Sequence, residues 1–356
     1  MTGPLGAAAG RGGDGGGPGD LRDLRGRPLR DLRVSVTDRC NFRCAYCMPR
    51  ELFGADHAFL DRGDLLAFDE VEELVRAAVD LGVTTVHLTG GEPLLRPGLP
   101  DLVARLAAIG GLDLAMTTNG VLLPRHAAAL AAAGLDRVTV SLDAIDDAVF
   151  RRASDSPYGA SAVLAGIDAA RAAGFGDVKV NAVVRRGVNE HQVVPLVEHF
   201  RGTGHVLRFI EFMDVGATNG WTDAEVVPAA EVLAAIGARW PLEDLPVRRY
   251  GETARRLRLV DGSAEIGVIS SVSTPFCGTC TRARVTAEGR IHTCLFSTGG
   301  TDARALLRGP RRPGDLAELL SGLWGNRSDR YSEIRAEVRA SGTRRAAPVE
   351  MSYIGG

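Results

Sequence analysis

Six cysteines fall into two groups of three, Cys40/Cys44/Cys47 and Cys277/Cys280/Cys294. An even count admits three disulfides. Close clusters in a long chain without an apolar secretory leader fit metal binding better, because cytosolic thiols stay reduced. Three thiolates within residues 40–47 suit a cubane four-iron cluster, with one iron left open to a further ligand. A structural zinc site, which wants four closed ligands, is the competing reading; His57 and His292 are the nearest fourth donors. Beside the second group, Arg282 and Arg284 alternate within an expected strand and therefore share one face. Their forks suit phosphate or purine edges, unless that face is simply solvated. Lys179 is the only lysine among 42 basic residues, the other 41 being arginine. Either it survives by chance, or its position needs a compact ammonium that a guanidinium cannot replace.

These groups need a scaffold, and the sequence supplies one. Short β-branched runs at 33–37, 84–89, 112–118, 137–142, 178–184 and 206–212 alternate with Ala/Leu-rich helical stretches at 69–81, 99–109, 124–133, 160–173 and 190–201. Such alternation predicts parallel βαβ units, and six of them suggest an incomplete (βα)6 barrel. From about residue 228 the pattern turns to short strands and turns, expected as a smaller C-terminal unit closing the barrel mouth. The expected divisions are a Gly-rich disordered tail at 1–22, a barrel at 23–227, a cysteine-bearing unit at 228–340 and a flexible end at 341–356. Chemistry in parallel α/β folds gathers at strand C-terminal ends. Cys40, Gly90-Gly91-Glu92, Thr117, Ser141 and Met213 are expected there. A formal charge of −2 argues against nucleic acid as the main partner, and no run approaches the roughly 20 apolar residues of a membrane span. The expected location is cytoplasmic.

The Cys40-x3-Cys44-x2-Cys47 spacing, with Tyr46 before the last cysteine and Gly90-Gly91-Glu92-Pro93 after the second strand, resembles the radical S-adenosylmethionine (SAM) superfamily. The run from Phe276 to Phe296, with its three cysteines and Arg282/Arg284, and the terminal Met351-Ser-Tyr-Ile-Gly-Gly356, resemble the GTP 3′,8-cyclases. The resemblance runs from about Leu32 to the end. It implies two [4Fe–4S] clusters, one binding SAM through its open iron and the other binding the guanine of GTP. Tyr46, Gly91, Ser141 and Met213 would contact SAM. Arg33, Thr117, Lys179, Arg208, Arg282 and Arg284 would hold GTP. Gly355 and Gly356 would enter the active site and be needed for turnover. The implied reaction opens molybdenum cofactor biosynthesis: a deoxyadenosyl radical takes hydrogen from C3′ of GTP, and C3′ then bonds to C8. Partners implied are an external one-electron reductant, a downstream cyclic pyranopterin monophosphate synthase and a second copy of the chain. One departure stands out: His87 occupies a position that is usually arginine in the family, which predicts weaker and more pH-sensitive GTP binding. Other readings are a peptide-modifying two-cluster radical SAM enzyme, expected to carry more C-terminal cysteines, and a zinc-dependent nucleotide-binding protein.

Overall fold

All six β-branched runs form strands: β1 (Asp31–Ser35), β2 (Thr85–Thr89), β3 (Asp113–Thr118), β4 (Arg137–Ser141), β5 (Lys179–Val184) and β6 (Val206–Glu211). The computed structural model describes residues 20–341 and 348–355. Most of the expected N-terminal tail, part of the C-terminal end, and Gly356 lie outside the described residues. Residues 20–22 belong to the fold: Asp20 pairs with Arg22 and Arg30, and Leu29 donates its N–H to the Leu21 carbonyl.

The connecting helices are α1 (Phe68–Asp80), α2 (Leu99–Ala107), α3 (Leu123–Ala132), α4 (Asp147–Ser154), α5 (Ala160–Ala172) and α6 (Val193–Phe200). Each buries one apolar stripe against the sheet, such as Val71, Leu74, Val75 and Ala78 of α1. The first turn of α1 is capped by Glu70, whose carboxylate accepts the Ala67 N–H at 2.6 Å.

Beyond residue 228 the chain forms helix α7 (Ala229–Gly237), six short strands, β7 (Leu242–Asp244), β8 (Arg255–Leu259), β9 (Glu265–Ile269), β10 (Arg282–Val285), β11 (Arg290–His292) and β12 (Thr301–Asp302), and then helices α8 (Arg304–Arg308), α9 (Asp315–Gly325) and α10 (Tyr331–Ala340). These strands extend the same sheet at both edges. β9 adds parallel to β6, and β10 adds parallel to β1. The order is β12-β11-β10-β1-β2-β3-β4-β5-β6-β9-β8-β7, an open α/β barrel with antiparallel edges.

Strand alternation explains what fills the interior. Leu32, Val34, Val86, Leu88, Val138, Val140, Val180 and Ala182 face the helices and are buried in the core. Their neighbours at period two line the barrel lumen: Asp31 and Arg33, Thr85 and His87, Arg137 and Thr139, Lys179 and Asn181, and Arg208. Gly267 on β9 sits beside Arg208 in register, and a Cβ there would stand 2.9 Å from the Arg208 Cγ, so only glycine leaves that guanidinium room. The lumen is therefore a polar cavity. Among the described residues no helix is long and apolar enough to cross a membrane.

Candidate active site

The first three cysteines lie in the long loop after β1. Backbone bonds from the Cys47 and Met48 N–H groups to the Cys44 carbonyl, each 2.9 Å, wind the loop tightly. Arg43 braces it from within, donating to the carbonyls of Cys40 (2.8 Å), Phe42 (2.8 Å) and Phe53 (2.6 Å). The glycine loop after β2 is stitched to the same segment: Gly91 N–H donates to the Thr37 carbonyl at 2.9 Å and Glu92 N–H to the Arg39 carbonyl at 2.8 Å. The contact leaves no space for side chains. A Cβ on Gly91 would lie 2.3 Å from the Arg39 carbonyl oxygen, and one on Gly90 2.5 Å from that of Thr37. Buried Glu92 accepts from Thr118 Oγ1 (2.7 Å) and Asn119 N–H (2.8 Å), bringing the end of β3 into the cluster. Burial pushes its carboxyl up to about 7.

Tyr46 donates its hydroxyl to Asp143 at 2.9 Å. Burial raises Asp143 to about 6. Ser141 ends β4 beside Asn181, two residues before Asp143.

The second group lines the lumen. A cavity of about 430 Å³ is bounded by Cys277, Cys280 and Cys294 together with Arg33, His87, Thr117, Lys179, Arg208, Met213, Arg282 and Arg284. Cys40, Cys44, Cys47, Tyr46, Gly91 and Ser141 do not line it. The cavity's charged residues are not confined to strand C-terminal ends. Lys179 opens β5, and Arg33 and Arg208 are mid-strand. Inward alternation carries polar side chains down the lumen, away from the mouth.

The last described residues bridge the two regions. Glu350 accepts from Ala217 N–H (2.9 Å) and Thr218 Oγ1 (2.7 Å), and helix Met351–Ile354 follows. Buried Arg284 donates to the carbonyls of Ile354 and Gly355. Thus Arg284, read from sequence as a GTP contact, here holds the C-terminal segment. Gly355 has φ +67°, and a Cβ there would collide with Thr89 Oγ1 and approach Ser35 Oγ at 3.3 Å, at the ends of β2 and β1.

Crowded cations define the electrostatics. Burial and Arg282 lower Arg33 to about 10, and burial, Arg33 and Arg137 lower Arg208 to about 10. Burial lowers Lys179 to about 8, with Arg208, Arg137 and Arg249 adding to it. The cavity is set to receive a polyanion, which would relieve this repulsion. His87 lies 2.6 Å from Thr117 Oγ1. Burial, then Arg33 and Arg137, drive it well below 6.5. That shift favours the neutral imidazole in the free protein.

Lys179 is the group that titrates in range. Above about pH 8 it loses its proton in the free protein while Arg33 and Arg208 stay charged. Polyanion affinity should hold steady below that pH and weaken above it, by up to about tenfold per unit. Calorimetric titration with GTP from about pH 7 to 9.5 checks this, and Lys179→Arg should flatten the curve. Equal slopes in both proteins would exclude Lys179 as the phosphate ligand.

The thiols fit an iron–sulfur cluster. All six are free and partly buried. Burial raises Cys40 to about 12 and Cys44 and Cys47 higher still, with Cys40 repelling both of the other thiols. Three such thiols become thiolates only when a cationic core compensates. In the second group Cys294 is raised to about 12 by burial. Cys280 falls to about 6, as Arg282 and Arg327 overcome its burial. Among the described residues no three His, Cys, Asp or Glu side chains close around a single ion.

A thiol-bearing loop at the mouth of an open parallel barrel, locked to a glycine loop that admits no side chain, defines a radical SAM protein. Residues 34–200 match the radical SAM superfamily, and residues 205–333 match the Molybdenum Cofactor Synthesis C family. The chain is 57% identical over 337 residues to a GTP 3′,8-cyclase of Xanthomonas axonopodis pv. citri, covering 94% of this chain and 99% of that one. It is 51% identical to the enzyme of the same name from Acidothermus cellulolyticus, covering 94% and 99%. The structure of Streptococcus suis SuiB bound to S-adenosylmethionine shares the fold, with a TM-score of 0.59 at 14% identity over 87% of this chain and 68% of that one. The chain belongs to the GTP 3′,8-cyclase family, and its superfamily implies SAM and an iron–sulfur cluster.

Several residues that shape the site escaped the sequence reading. Arg43, Arg27 and Arg327 look like ordinary charged residues in a chain with 41 arginines. Glu92 alone carried a signal, through its place in the glycine motif.

Proposed function

We propose that the chain converts GTP to its 3′,8-cyclised dihydroguanosine triphosphate, the first step of molybdenum cofactor biosynthesis. The observation that carries this is the cavity of about 430 Å³ in which Arg33, Lys179, Arg208 and Arg282 face the thiols of Cys277, Cys280 and Cys294. Cys40, Cys44 and Cys47 would hold one [4Fe–4S] cluster, with SAM against Tyr46, Gly91, Ser141 and Met213. Cys277, Cys280 and Cys294 would hold a second, at the guanine end of the cavity. SAM and its cluster supply, when bound, a carbon-centred radical able to take hydrogen from C3′ of the nucleotide.

The protein's own part is placement. Lys179, Arg208 and Arg33 bind the triphosphate along the lumen. Arg282 and the second triad fix the base, so that C8 is held over C3′. Positioning of this kind is worth about 7–11 kcal/mol in favourable systems. Thr117 orients His87 and stands beside the nucleotide. Gly355, held by Arg284, covers the reaction zone. The reading carries with it an external one-electron donor, a homodimer, a cytoplasmic location, and a downstream cyclic pyranopterin monophosphate synthase that takes the product.

The test is anaerobic reconstitution followed by incubation with SAM, dithionite and each nucleoside triphosphate in turn. Iron should reach about eight per chain, and 5′-deoxyadenosine should form with GTP alone. Equal formation with ATP, CTP or UTP would refute the substrate assignment.

A further inference from the structure

The two cysteine groups sit in opposite electrostatic surroundings. Beside the first, Glu92 and Asp143 are buried carboxylates, and the neighbouring guanidinium of Arg43 donates to the carbonyls of Cys40, Phe42 and Phe53. Phe42 N–H donates to the Cys40 sulfur at 3.4 Å.

The second group is backed by a buried arginine pair. Arg327 is 4% exposed. Its Nη2 donates to Cys280 Sγ at 3.2 Å and its Nη1 to the Cys280 carbonyl at 2.9 Å. The guanidinium lies 4.4 Å from the Trp324 ring centroid. Arg27, wholly buried, donates to the Cys277 carbonyl at 2.8 Å and to Asp23 at 2.6 Å. Asp23 also faces Arg327 at 3.2 Å, and half-buried Asp329 lies 3.4 Å from its Nε. One fully buried carboxylate thus serves two buried guanidiniums, leaving positive charge directed at the Cys280 thiolate. Arg327 borders the cavity beside Cys280, whereas Asp23, Arg27 and Trp324, which pack behind it, do not line the cavity.

We propose that Arg327 is a positioning residue for the cluster of Cys277, Cys280 and Cys294, and that its N–H bond to the Cys280 sulfur makes this the more easily reduced of the two clusters. The inference rests on the two-cluster reading above. Reduction adds negative charge to the cluster and its sulfurs, and a buried cation donating to a thiolate stabilises that state. Carboxylates around the first group act in the opposite sense, so its cluster is the stronger reductant. That ordering suits its partner, since cleaving a sulfonium demands a low potential. Arg27 acts differently: it donates to the Asp23 carboxylate and to the carbonyls of Cys277 and Asp329, fixing the loop without a bond to sulfur.

The test uses the full-length chain with Cys40, Cys44 and Cys47 replaced by alanine and then reconstituted anaerobically, so that only the second cluster remains. Its midpoint potential is read by redox titration monitored by electron paramagnetic resonance. Arg327→Gln should lower the reduced-to-oxidised ratio at fixed potential at least tenfold, which is about 59 mV for a one-electron couple. Arg327→Lys keeps the charge but cannot span Cys280 and Asp23 together, so a smaller shift in the same direction is expected. It also serves as the measurement should the glutamine protein not hold its iron. Arg27→Gln should leave the potential nearly unchanged. About four irons per chain with no shift in either Arg327 variant would overturn the inference and leave two clusters standing. A triple-alanine parent that binds no iron would remove both.

Discussion

Replacing Cys44 with alanine is expected to abolish 5′-deoxyadenosine formation, a loss of at least about a thousandfold. The size follows from where the residue's work is done. The Cys44 carbonyl, not its sulfur, receives the two 2.9 Å bonds that wind the loop, and alanine keeps both. Arg43 holds the neighbouring carbonyls of Cys40 and Phe42 and is untouched by the change. Folding should therefore suffer by only about 1 kcal/mol. The thiol itself is buried and held well above the ordinary range by desolvation and by Asp143, so its use is as a metal-bound thiolate. Reconstituted iron should drop from about eight to about four per chain. Deoxyadenosine measured by chromatography beside total iron decides the matter. A Cys44→Ala protein that keeps eight irons, or turnover within tenfold of the parent, would end the first-cluster assignment.

The second large effect is expected at Gly91. Alanine there places a methyl carbon 2.3 Å from the Arg39 carbonyl oxygen, 2.6 Å from its carbonyl carbon and 2.9 Å from the Asp38 oxygen. All three are backbone atoms, so no side chain can swing aside. Either the glycine loop parts from the cysteine loop, breaking the Gly91–Thr37 and Glu92–Arg39 bonds, or the strain is carried in the fold. Overpacking of this kind costs about 2–3 kcal/mol. At about 1.4 kcal/mol per tenfold, SAM affinity should fall roughly 30-fold if the loop moves. If the loop holds, the midpoint of thermal unfolding should drop by about 4 °C or more for a chain of this size. Equilibrium dialysis with SAM and calorimetry together cover both outcomes. A Gly91→Ala protein matching the parent in both would show that the close approach is not required.

Much of the machinery was legible because its signals are local. The strands announced themselves by β-branched runs, and the cysteines by spacing that loops of fixed length must bring together. Glycine at 91 was readable from its motif, although the reason, a carbonyl 2.3 Å from any Cβ, lies in another loop. Lys179 stood out through composition alone. What the sequence could not show was depth. A period-two pattern tells which residues share a face, but not whether that face looks into a closed lumen. Charged residues run down the barrel, Lys179 at the start of β5 and Arg208 midway along β6.

Chain order also hid which charges cooperate. The strands after residue 228 read as a unit of their own, yet they complete the one sheet at both edges, bringing Arg284 into register with Arg33. Arg284 then meets the carbonyls of a segment 70 residues downstream. Asp23, Arg27 and Arg327 converge from opposite ends of the chain, some 300 residues apart. The burial of His87, which lowers its affinity for a proton, was likewise not legible from its place in the chain. Residue types, spacing and periodicity thus settled the chemistry available to this protein: thiolates for iron, cations for a polyanion, strands to carry them. Which side chains are desolvated, and which charges face one another, depended on the curved geometry of the sheet, because burial and Coulomb energy vary with distance through space rather than along the chain.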